Sequence, residues 1–331
     1  MPQESRLTMR HFCTLFDSNY LLKGVAMLRT LKQHCPDAHV HVLCMDVKTY
    51  EILEQIRLPH VSCLSLSAVE DKALLAVKPS RSMAEYCWTL SPCLPWYVLQ
   101  HNPDLDTITY LDADLYFYSP LQPLFDEIGD ASIVIIEHRF PPALRHLEVN
   151  GRFCVEWVGF RRDEQGLACL AHWREQCIEW CFHQLEQDRM GDQKYLDQWP
   201  GQYSGLHILQ HLGAGVAPWN YSQYDFGQDN EGTITVGDEP LVFYHFHQLQ
   251  LLSDGCFDRL SGAYRAMGAE PQKVYENYEV ALTEVLKEVR LLRPGFSAGM
   301  KSVLRIKSQR LAQYFLPQLL KQLLKKIIKA I

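Results

Sequence analysis

The chain has 331 residues, of which 47% are hydrophobic and 21% are charged. Such a composition supports a large buried core and excludes disordered, collagen-like and disulfide-scaffold classes. The formal net charge of -7 argues against wholesale nucleic-acid binding. The charge is uneven, because residues 301–331 hold eight Lys or Arg and no acidic residue, which leaves 24 basic against 39 acidic residues in 1–300.

The N-terminal residues and the cysteines bear on the compartment. Residues 1–10 are polar and lead directly into a strand-like segment, without the apolar core of a signal peptide. No apolar run reaches the roughly 18 residues of a membrane-spanning helix. Eleven cysteines lie scattered in apolar segments such as His41–Met45, which favours a reducing compartment over a disulfide framework. We therefore predict a cytoplasmic protein.

The first part of the chain alternates strand and helix patterns. Strands are predicted at His11–Phe16, His39–Met45 and Val61–Leu66, with helices over Leu21–Leu31 and Thr49–Ile56 between them. This alternation predicts an α/β fold with a doubly wound, Rossmann-like sheet, whose ligands bind beyond the carboxyl ends of the strands. The polar residues at those ends are Asp17, Asn19 and Asp46.

Further elements follow along the chain. Strands are predicted at Asp106–Leu111, Ile133–Ile136 and Leu241–His247, and helices at Met83–Gln100, Gly166–Glu186 and Gln272–Leu292. The sequence Arg293-Pro294-Gly295 ends the last helix, because Pro and Gly stop helices. We therefore predict one domain over residues 1–292 and a helical extension over residues 293–331.

Two carboxylates follow the strand that ends at Leu111. Asp112 and Asp114, separated by Ala113, form an Asp-x-Asp element. A divalent cation held by such oxygens offsets the charge that develops on a leaving diphosphate. An isolated Asp-x-Asp is more often a solvated turn, but this pair lies between an apolar strand and an aromatic segment.

Four segments, taken in order, resemble a known family. They are Thr14–Tyr20, Tyr110–Asp114, Gly191–Leu196 and Tyr244–His247. The ordered set resembles the GT-A glycosyltransferases near glycosyltransferase family 8 over about residues 10–250. The resemblance implies a GT-A fold with a mixed sheet. It also implies metal-dependent sugar transfer with retention, from a nucleotide-diphosphate donor, UDP-linked favoured, to a glycan or lipid-linked acceptor.

The resemblance also implies a metal site. Asp112, Asp114 and His245 would bind Mn²⁺ or Mg²⁺, which bridges the two phosphates of the donor. Ala113, between the two aspartates, would also belong to the donor site. His245 and His247 would face the same side of a strand, and two imidazoles also suit zinc or non-haem iron. A single histidine in an apolar run is more often a core residue, and His247 is the weaker ligand candidate of the two.

The first motif would then supply the nucleotide site. Thr14 lies in the strand, Asp17 and Asn19 would approach the base or ribose, and Tyr20 would stack on the base. The alternative is structural, because Asp-Ser-Asn is also a good turn and helix-capping sequence.

Asp192 and Gln193 resemble the pair that lies beside the anomeric carbon in retaining members. The carboxylate would hold sugar or acceptor hydroxyls, and the amide carbonyl would face the developing oxocarbenium ion. The alternative is a loop-to-helix cap. The motif does not decide whether either group attacks covalently.

The chain departs from the family pattern after His245. Gln248 and Leu251 occupy positions where relatives carry a glycine and a lysine that reaches the diphosphate. Three basic residues could compensate. They are Arg81, Arg139 and Lys194.

Other polar residues leave further choices open. Cys154 and Glu156 stand where relatives contact the donor sugar, so the sequence leaves that sugar open. Cys177 and Cys181 could join His172 in a zinc site, but the apolar face of their helix accounts for both cysteines.

The C-terminal residues form a basic amphipathic pattern. Apolar and basic residues interleave over 301–331, with Pro317 interrupting. Such a helix can lie on an anionic membrane surface at the cytoplasmic face. Docking on the domain or on a second copy is the alternative. Two other functions also stay open for the whole chain: a degenerate, membrane-associated scaffold and a sugar nucleotidyltransferase.

Overall fold

A seven-stranded sheet lies at the centre of the computed structural model, which describes residues 9–260, 264 and 268–304. The strands of that part are β1 (Arg10–Phe16), β2 (Ala38–Cys44), β3 (Val61–Ser65), β4 (Thr107–Leu111), β5 (Leu115–Phe117), β6 (Ile133–Glu137), β7 (Phe153–Arg161), β8 (Leu206–Leu209), β9 (Phe226–Gln228), β10 (Ile234–Val236), β11 (Glu239–Pro240), β12 (Phe243–His245), β13 (Gln250–Leu251) and β14 (Phe257–Asp258). The α-helices are α1 (Leu21–His34), α2 (Val47–Ile56), α3 (Leu66–Val69), α4 (Lys72–Val77), α5 (Met83–His101), α6 (Gln122–Ile128), α7 (Glu164–Glu179), α8 (Trp199–Gln202) and α9 (Gln272–Leu292). Short 3-10 segments lie at Lys78–Ser80, Pro142–Asn150, Lys194–Gln198 and Tyr221–Gln223.

The large sheet is mixed, in the order β3-β2-β1-β4-β7-β6-β8. Strand β7 runs antiparallel to β4 and β6, and the other neighbouring strands are parallel. Parallel neighbours need crossover connections, which the alternating first part of the chain supplies. The predicted α/β, doubly wound mixed sheet is confirmed.

Side-chain caps fix the start of several helices. Asp46 accepts a hydrogen bond from the Thr49 backbone N–H at the start of α2. Ser82 and Glu85 form a capping box at the start of α5. These caps satisfy backbone donors that the first helical turn leaves without a partner.

The core lies on both faces of the large sheet. Alternate residues of β1 divide between two clusters: Phe12 and Phe16 pack with α1, whereas Cys13 and Leu15 pack with α5. Only glycine fits at position 24 of α1, because a Cβ there would lie 2.5 Å from the Phe16 ring. This close approach seats α1 on β1 and so fixes the position of the segment that joins them.

A cluster of histidines lies at the opposite, amino-terminal part of β1 and β2. The His11 Nδ1 atom is 3.3 Å from the His41 Nε2 atom, and the His39 and His41 rings are 5.0 Å apart. Burial lowers the pKa of each of the three imidazoles, that of His41 to about 4. Burial therefore favours the neutral form of all three rings.

Two sequence-based boundaries are wrong, and strands of the large sheet were missed. The helix predicted to reach Glu186 ends at Glu179, where Arg81 donates to the carbonyls of residues 178 and 179. The strand predicted over Leu241–His247 is limited to β12, because only those residues pair with β5. Strand β7 was not predicted as a strand.

The chain returns to the domain after α9. This helix ends at Leu292, as predicted, and Phe296 is buried beyond it. The Lys301 N–H then donates to the Leu251 carbonyl, so residues 296–301 form a strap across the domain. Most of the predicted basic tail, residues 305–331, lies outside the described residues. In the described part, no helix has the length and apolarity needed to cross a bilayer.

Candidate active site

The acidic pair occupies the connection between β4 and β5. The Asp112 N–H donates to the Glu156 carbonyl of β7, which anchors this connection to the neighbouring strand. The Asp114 side chain is buried, whereas the Asp112 side chain is 30% exposed. One carboxylate therefore lies inside the domain and the other reaches its surface.

The pairing of β5 with β12 brings His245 to the acidic pair. Leu115 lies opposite His245 in this antiparallel ladder, and the Phe246 N–H donates to the Asp114 carbonyl. The His245 Nε2 atom is 3.1 Å from an Asp114 oxygen and 3.9 Å from an Asp112 oxygen. The structure thus brings together the three predicted ligands.

Glu156 holds the other nitrogen of the His245 ring. Its Oε2 atom lies 2.6 Å from His245 Nδ1, and the Glu156 side chain is fully buried. A carboxylate on Nδ1–H fixes the ring orientation and leaves Nε2 as the atom that faces the aspartates. The sequence places Glu156 where relatives contact the donor sugar. In the structure, its carboxylate contacts His245 instead.

Burial and mutual repulsion shape the charges of these groups. Partial burial raises the pKa of Asp112 to about 7, and His245 opposes this shift while Asp114 and Glu156 add to it. Burial would also raise the pKa of Asp114, but Lys23 and His245 outweigh it and hold that pKa well below its usual range. Burial would lower the pKa of His245, but Asp114 and Glu156 outweigh it, so the pKa is well above its ordinary value.

The donor set fits a hard divalent cation. One ligand atom each from Asp112, Asp114 and His245 lie within 4.8 Å of one another. Adjacent ligand atoms of an octahedral cation are about 3 Å apart when each bond is about 2.1 Å, close to the 3.1 Å between Asp114 and His245. Carboxylate oxygens with one imidazole suit Mg²⁺ or Mn²⁺. Cys154 and Glu156 form a second possible group with His245, but Glu156 lies on the nitrogen that faces away from the aspartates.

His247 lies beside this cluster without joining it. It follows β12 instead of continuing the strand, and its ring is 5.6 Å from the His245 ring. Trp219 contacts both rings edge-on. Burial lowers the pKa of His247 to about 3, and the neighbouring His245 adds to the shift.

The first motif forms a tight turn between β1 and α1. Asp17 accepts hydrogen bonds from the Asn19 N–H at 2.9 Å and the Asn19 side-chain amide at 2.7 Å. The Ser18 N–H donates to Asp46. Thr14 is fully buried in β1 beneath the turn. The turn described as the structural alternative therefore exists, and it leaves the Tyr20 ring 42% exposed at the surface.

Lys23 connects this turn to the acidic pair. Its Nζ atom lies 3.3 Å from Asp114 Oδ2 and 4.7 Å from the centre of the Tyr20 ring. Sequence reasoning did not single out Lys23. The available signal was its position three residues after Tyr20, on the same side of α1.

Asp192 and Gln193 lie in the segment before the 3-10 helix at Lys194. The Asp192 side chain is buried, and its backbone carbonyl accepts the Trp173 indole N–H at 2.9 Å. Burial raises the pKa of Asp192 to about 7, and Asp112 contributes in the same direction. The Gln193 amide nitrogen donates to the Asn150 carbonyl, which turns its carbonyl oxygen away from that residue.

The three basic residues considered for the diphosphate have other partners. Arg81 donates to the end of α7, Arg139 donates to the Ala214 carbonyl, and Lys194 donates to the Val149 carbonyl at 2.6 Å. Cys177 and Cys181 are buried, whereas His172 is exposed. In residues 9–260, 264 and 268–304, the groups able to hold a metal do not include those three.

The fold is that of the GT-A glycosyltransferases. It is similar to the galactosyltransferase LgtC, solved in complex with donor and acceptor sugar analogs, with a TM-score of 0.51 and 13% identity over 83% of this chain and 95% of that chain. The glycosyltransferase GlyE of Streptococcus pneumoniae gives a TM-score of 0.50 and 15% identity over 85% of this chain and 64% of that chain.

Two curated proteins of Bacillus subtilis, both described as uncharacterized, are similar along most of their length. YfnD is 33% identical over 293 residues, which are 87% of this chain and 94% of YfnD. YfnF is 28% identical over 293 residues, which are 86% of this chain and 96% of YfnF. The chain belongs to the YfnD family. No protein-family model matches the chain.

Proposed function

We propose that this protein is a metal-dependent glycosyltransferase that moves a sugar from a nucleotide-diphosphate donor to a glycan or lipid-linked acceptor. One observation carries the proposal: Asp112, Asp114 and His245 converge at the carboxyl end of β4 in a GT-A fold. Ligands of doubly wound sheets bind at that edge. A UDP-linked donor is favoured by the family resemblance.

The three converging residues would hold Mn²⁺ or Mg²⁺. The bound cation supplies charge neutralisation for the leaving diphosphate. Two donor atoms lie inside the domain, an oxygen of Asp114 and the Nε2 atom of His245. Asp112 gives a third donor, an oxygen at the surface of the domain. Glu156 keeps the His245 ring in place, because it accepts the proton of Nδ1.

The turn between β1 and α1 would bind the nucleotide. Tyr20 offers an exposed ring on which a base can stack. Asp17 and Asn19 border the same surface, although their side chains also hold the turn. Asp46 and Thr14 support the turn from below, through a hydrogen bond to Ser18 and through packing in β1.

Asp192 and Gln193 would line the sugar side of the site, and we propose transfer with retention. Asp192 is buried and is close enough to Asp112 for the two charges to interact. Its carboxyl group can hold a sugar or acceptor hydroxyl, and the carbonyl oxygen of Gln193 can face positive charge that develops on the sugar ring.

Residues 301–331 would place the enzyme near its acceptor. Their basic, acid-free composition suits an anionic surface. A cytoplasmic enzyme that associates peripherally with the membrane would then meet a lipid-linked acceptor there. Co-sedimentation with lipid vesicles tests this. The full chain should sediment with vesicles that contain anionic lipid and not with vesicles that lack it.

Calorimetric titration tests the nucleotide and metal site directly. The wild-type protein should bind UDP in the presence of Mn²⁺ and bind it much more weakly without Mn²⁺. Asp114→Asn should lose the Mn²⁺-dependent part, whereas Asp104→Asn, at an exposed position away from the site, should retain it. If the wild type binds no nucleoside diphosphate under either condition, the proposed function is wrong.

The donor sugar requires its own screen. LgtC is described as a galactosyltransferase, so UDP-galactose is a natural first donor to compare with other UDP-sugars. Hydrolysis of the donor in the absence of acceptor, lost in Asp114→Asn, identifies the sugar that the site accepts. The anomeric configuration of a product, measured by NMR, tests retention.

A further inference from the structure

Lys23 is a lysine that the structure places directly on a candidate metal ligand. Its ammonium nitrogen is 3.3 Å from Asp114, and only 12% of the side chain is exposed. Lys23 and the Nε2 atom of His245 lie on different oxygens of the same carboxylate, Oδ2 and Oδ1. Each oxygen of the Asp114 carboxylate therefore already has a nitrogen partner in this structure.

Lys23 also lines a cavity of about 140 Å³. The cavity extends from the β1–α1 turn to the strap, and its polar lining comes from Asn19, Tyr20, Lys23, Gln250 and Lys301. Two of those side chains carry positive charge and none carries negative charge. An anion is therefore the ligand class that this cavity favours.

The strap gives the cavity its outer wall. Gly299 donates its N–H to the Asn19 side chain at 3.0 Å, and a Cβ at Gly299 would lie 2.0 Å from the Asn19 carbonyl oxygen. Lys301 is held beside Leu251 by a backbone hydrogen bond. A lysine from the C-terminal segment thus stands next to Leu251, one of the two positions at which the chain departs from the family pattern.

On the basis of the proposed function, we propose that Lys23 holds Asp114 in the metal-free protein and transfers to the phosphates of the nucleoside diphosphate when the cation binds. A divalent cation between the Oδ1 atom of Asp114 and the Nε2 atom of His245 repels the ammonium group on Oδ2 and weakens its hold on the carboxylate. A buried ammonium without an anionic partner is strongly unfavourable. The lysine stem is flexible, and the adjoining cavity offers the place where an incoming diphosphate restores a negative partner.

This arrangement couples the metal to the nucleotide with a definite sign. Mn²⁺ alone competes with Lys23 for Asp114, so Lys23 weakens metal binding in the absence of nucleotide. The same lysine strengthens binding of the diphosphate once the metal is present. A lysine that merely supports the fold would have neither effect, and a lysine that merely assembles the ligands would strengthen both.

The test uses the full-length protein with Lys23→Met, which keeps the stem and removes the charge. Lys32→Met is the matched control, because Lys32 lies on the same helix and donates to carbonyls near its end. Calorimetry first measures Mn²⁺ alone, then UDP and uridine at saturating Mn²⁺. Lys23→Met should bind Mn²⁺ about threefold or more tightly and UDP at least about tenfold more weakly, in line with loss of a charge-assisted contact. Its affinity for uridine should not change, and Lys32→Met should match the wild type throughout.

Two results overturn the proposal. Unchanged UDP affinity in Lys23→Met removes the diphosphate role, and weaker Mn²⁺ binding in Lys23→Met removes the competition for Asp114. Lys23→Arg retains the charge and should keep UDP affinity above that of Lys23→Met, which separates loss of charge from loss of folding. If the wild type binds Mn²⁺ but no nucleoside diphosphate, the proposed function is wrong, and so is the diphosphate role of Lys23. The Mn²⁺ affinities of the wild type and Lys23→Met still test the Lys23–Asp114 contact separately.

Discussion

Glu156→Gln should weaken metal binding without removing a metal ligand. The substitution keeps the shape of a fully buried side chain whose Oε2 atom is 2.6 Å from the Nδ1 atom of His245. The amide can still accept that proton, but the hydrogen bond becomes neutral. Hydrogen bonds to charged groups contribute about 1.5–3 kcal/mol and neutral ones about 0.5–1.5 kcal/mol, so the change removes about 1–1.5 kcal/mol from the orientation of the ring.

That loss corresponds to about tenfold in affinity, which is the lower end of the 10–100-fold effect typical of residues that orient metal-bound histidines. Titration of Mn²⁺ in the absence of nucleotide measures it. Glu164→Gln is the matched control, because it makes the same chemical change at an exposed position in the first turn of α7. Asp114→Asn gives the upper limit, since it alters a ligand itself.

Equal Mn²⁺ affinity in Glu156→Gln and wild type, with binding lost in Asp114→Asn, would refute the positioning role of Glu156. Circular dichroism and thermal unfolding of the metal-free proteins guard against a trivial cause. A variant that unfolds at the same temperature as wild type but binds Mn²⁺ more weakly shows an effect on the site and not on the fold.

Two further predictions concern stability. Gly24→Ala should lower the free energy of unfolding by about 1–3 kcal/mol, because the added Cβ would lie 2.5 Å from the Phe16 ring. Gly201→Ala is the control, because a Cβ at that position meets no other atom within 4 Å, and it should have a much smaller effect in the same denaturant titration. Equal effects of the two substitutions would contradict this packing argument. Burial and two neighbouring histidines lower the folded pKa of His41 to about 4, below its unfolded value of about 6.5. As the pH falls, the unfolded chain therefore binds the proton first. The free energy of unfolding should decrease between about pH 6.5 and pH 4, by up to about 1.4 kcal/mol per pH unit. His41→Gln should flatten this slope in thermal unfolding between pH 6.5 and 5, exposed His172→Gln should not, and an unchanged slope in His41→Gln would rule out this histidine as its source.

The parallel half of the sheet was predictable from local patterns. Each of its first strands is a short apolar run that ends in polar residues, and each connecting helix has its own periodicity. Strand β7 lacks these signals, because it is antiparallel, buried along almost all of its length and interrupted by Glu156. The helix predicted to reach Glu186 was too long, since its true end depends on Arg81, nearly one hundred residues earlier.

The residues of the candidate site could be selected to a similar extent. Asp112, Asp114 and His245 could be selected because ordered motifs resemble a family, and the structure brings them together. The function of Glu156 could not be read from sequence, because a contact between β7 and β12 depends on the arrangement of the sheets. Lys23 was missed for the same reason: a lysine on a helix is ordinarily a solvated side chain, and only the fold places it on Asp114.

The pairing of β5 with β12 has a consequence for the order in which the protein acquires its parts. Leu115 and His245 are adjacent in the ladder although 130 residues separate them, and pairings between such distant segments form late and slowly in folding. A chain whose first strands and helices have already assembled would still lack His245, the third proposed metal ligand. Amide hydrogen exchange at the β12 backbone therefore reports directly on completion of the site, and bound Mn²⁺ should slow it by holding both strands through their side chains.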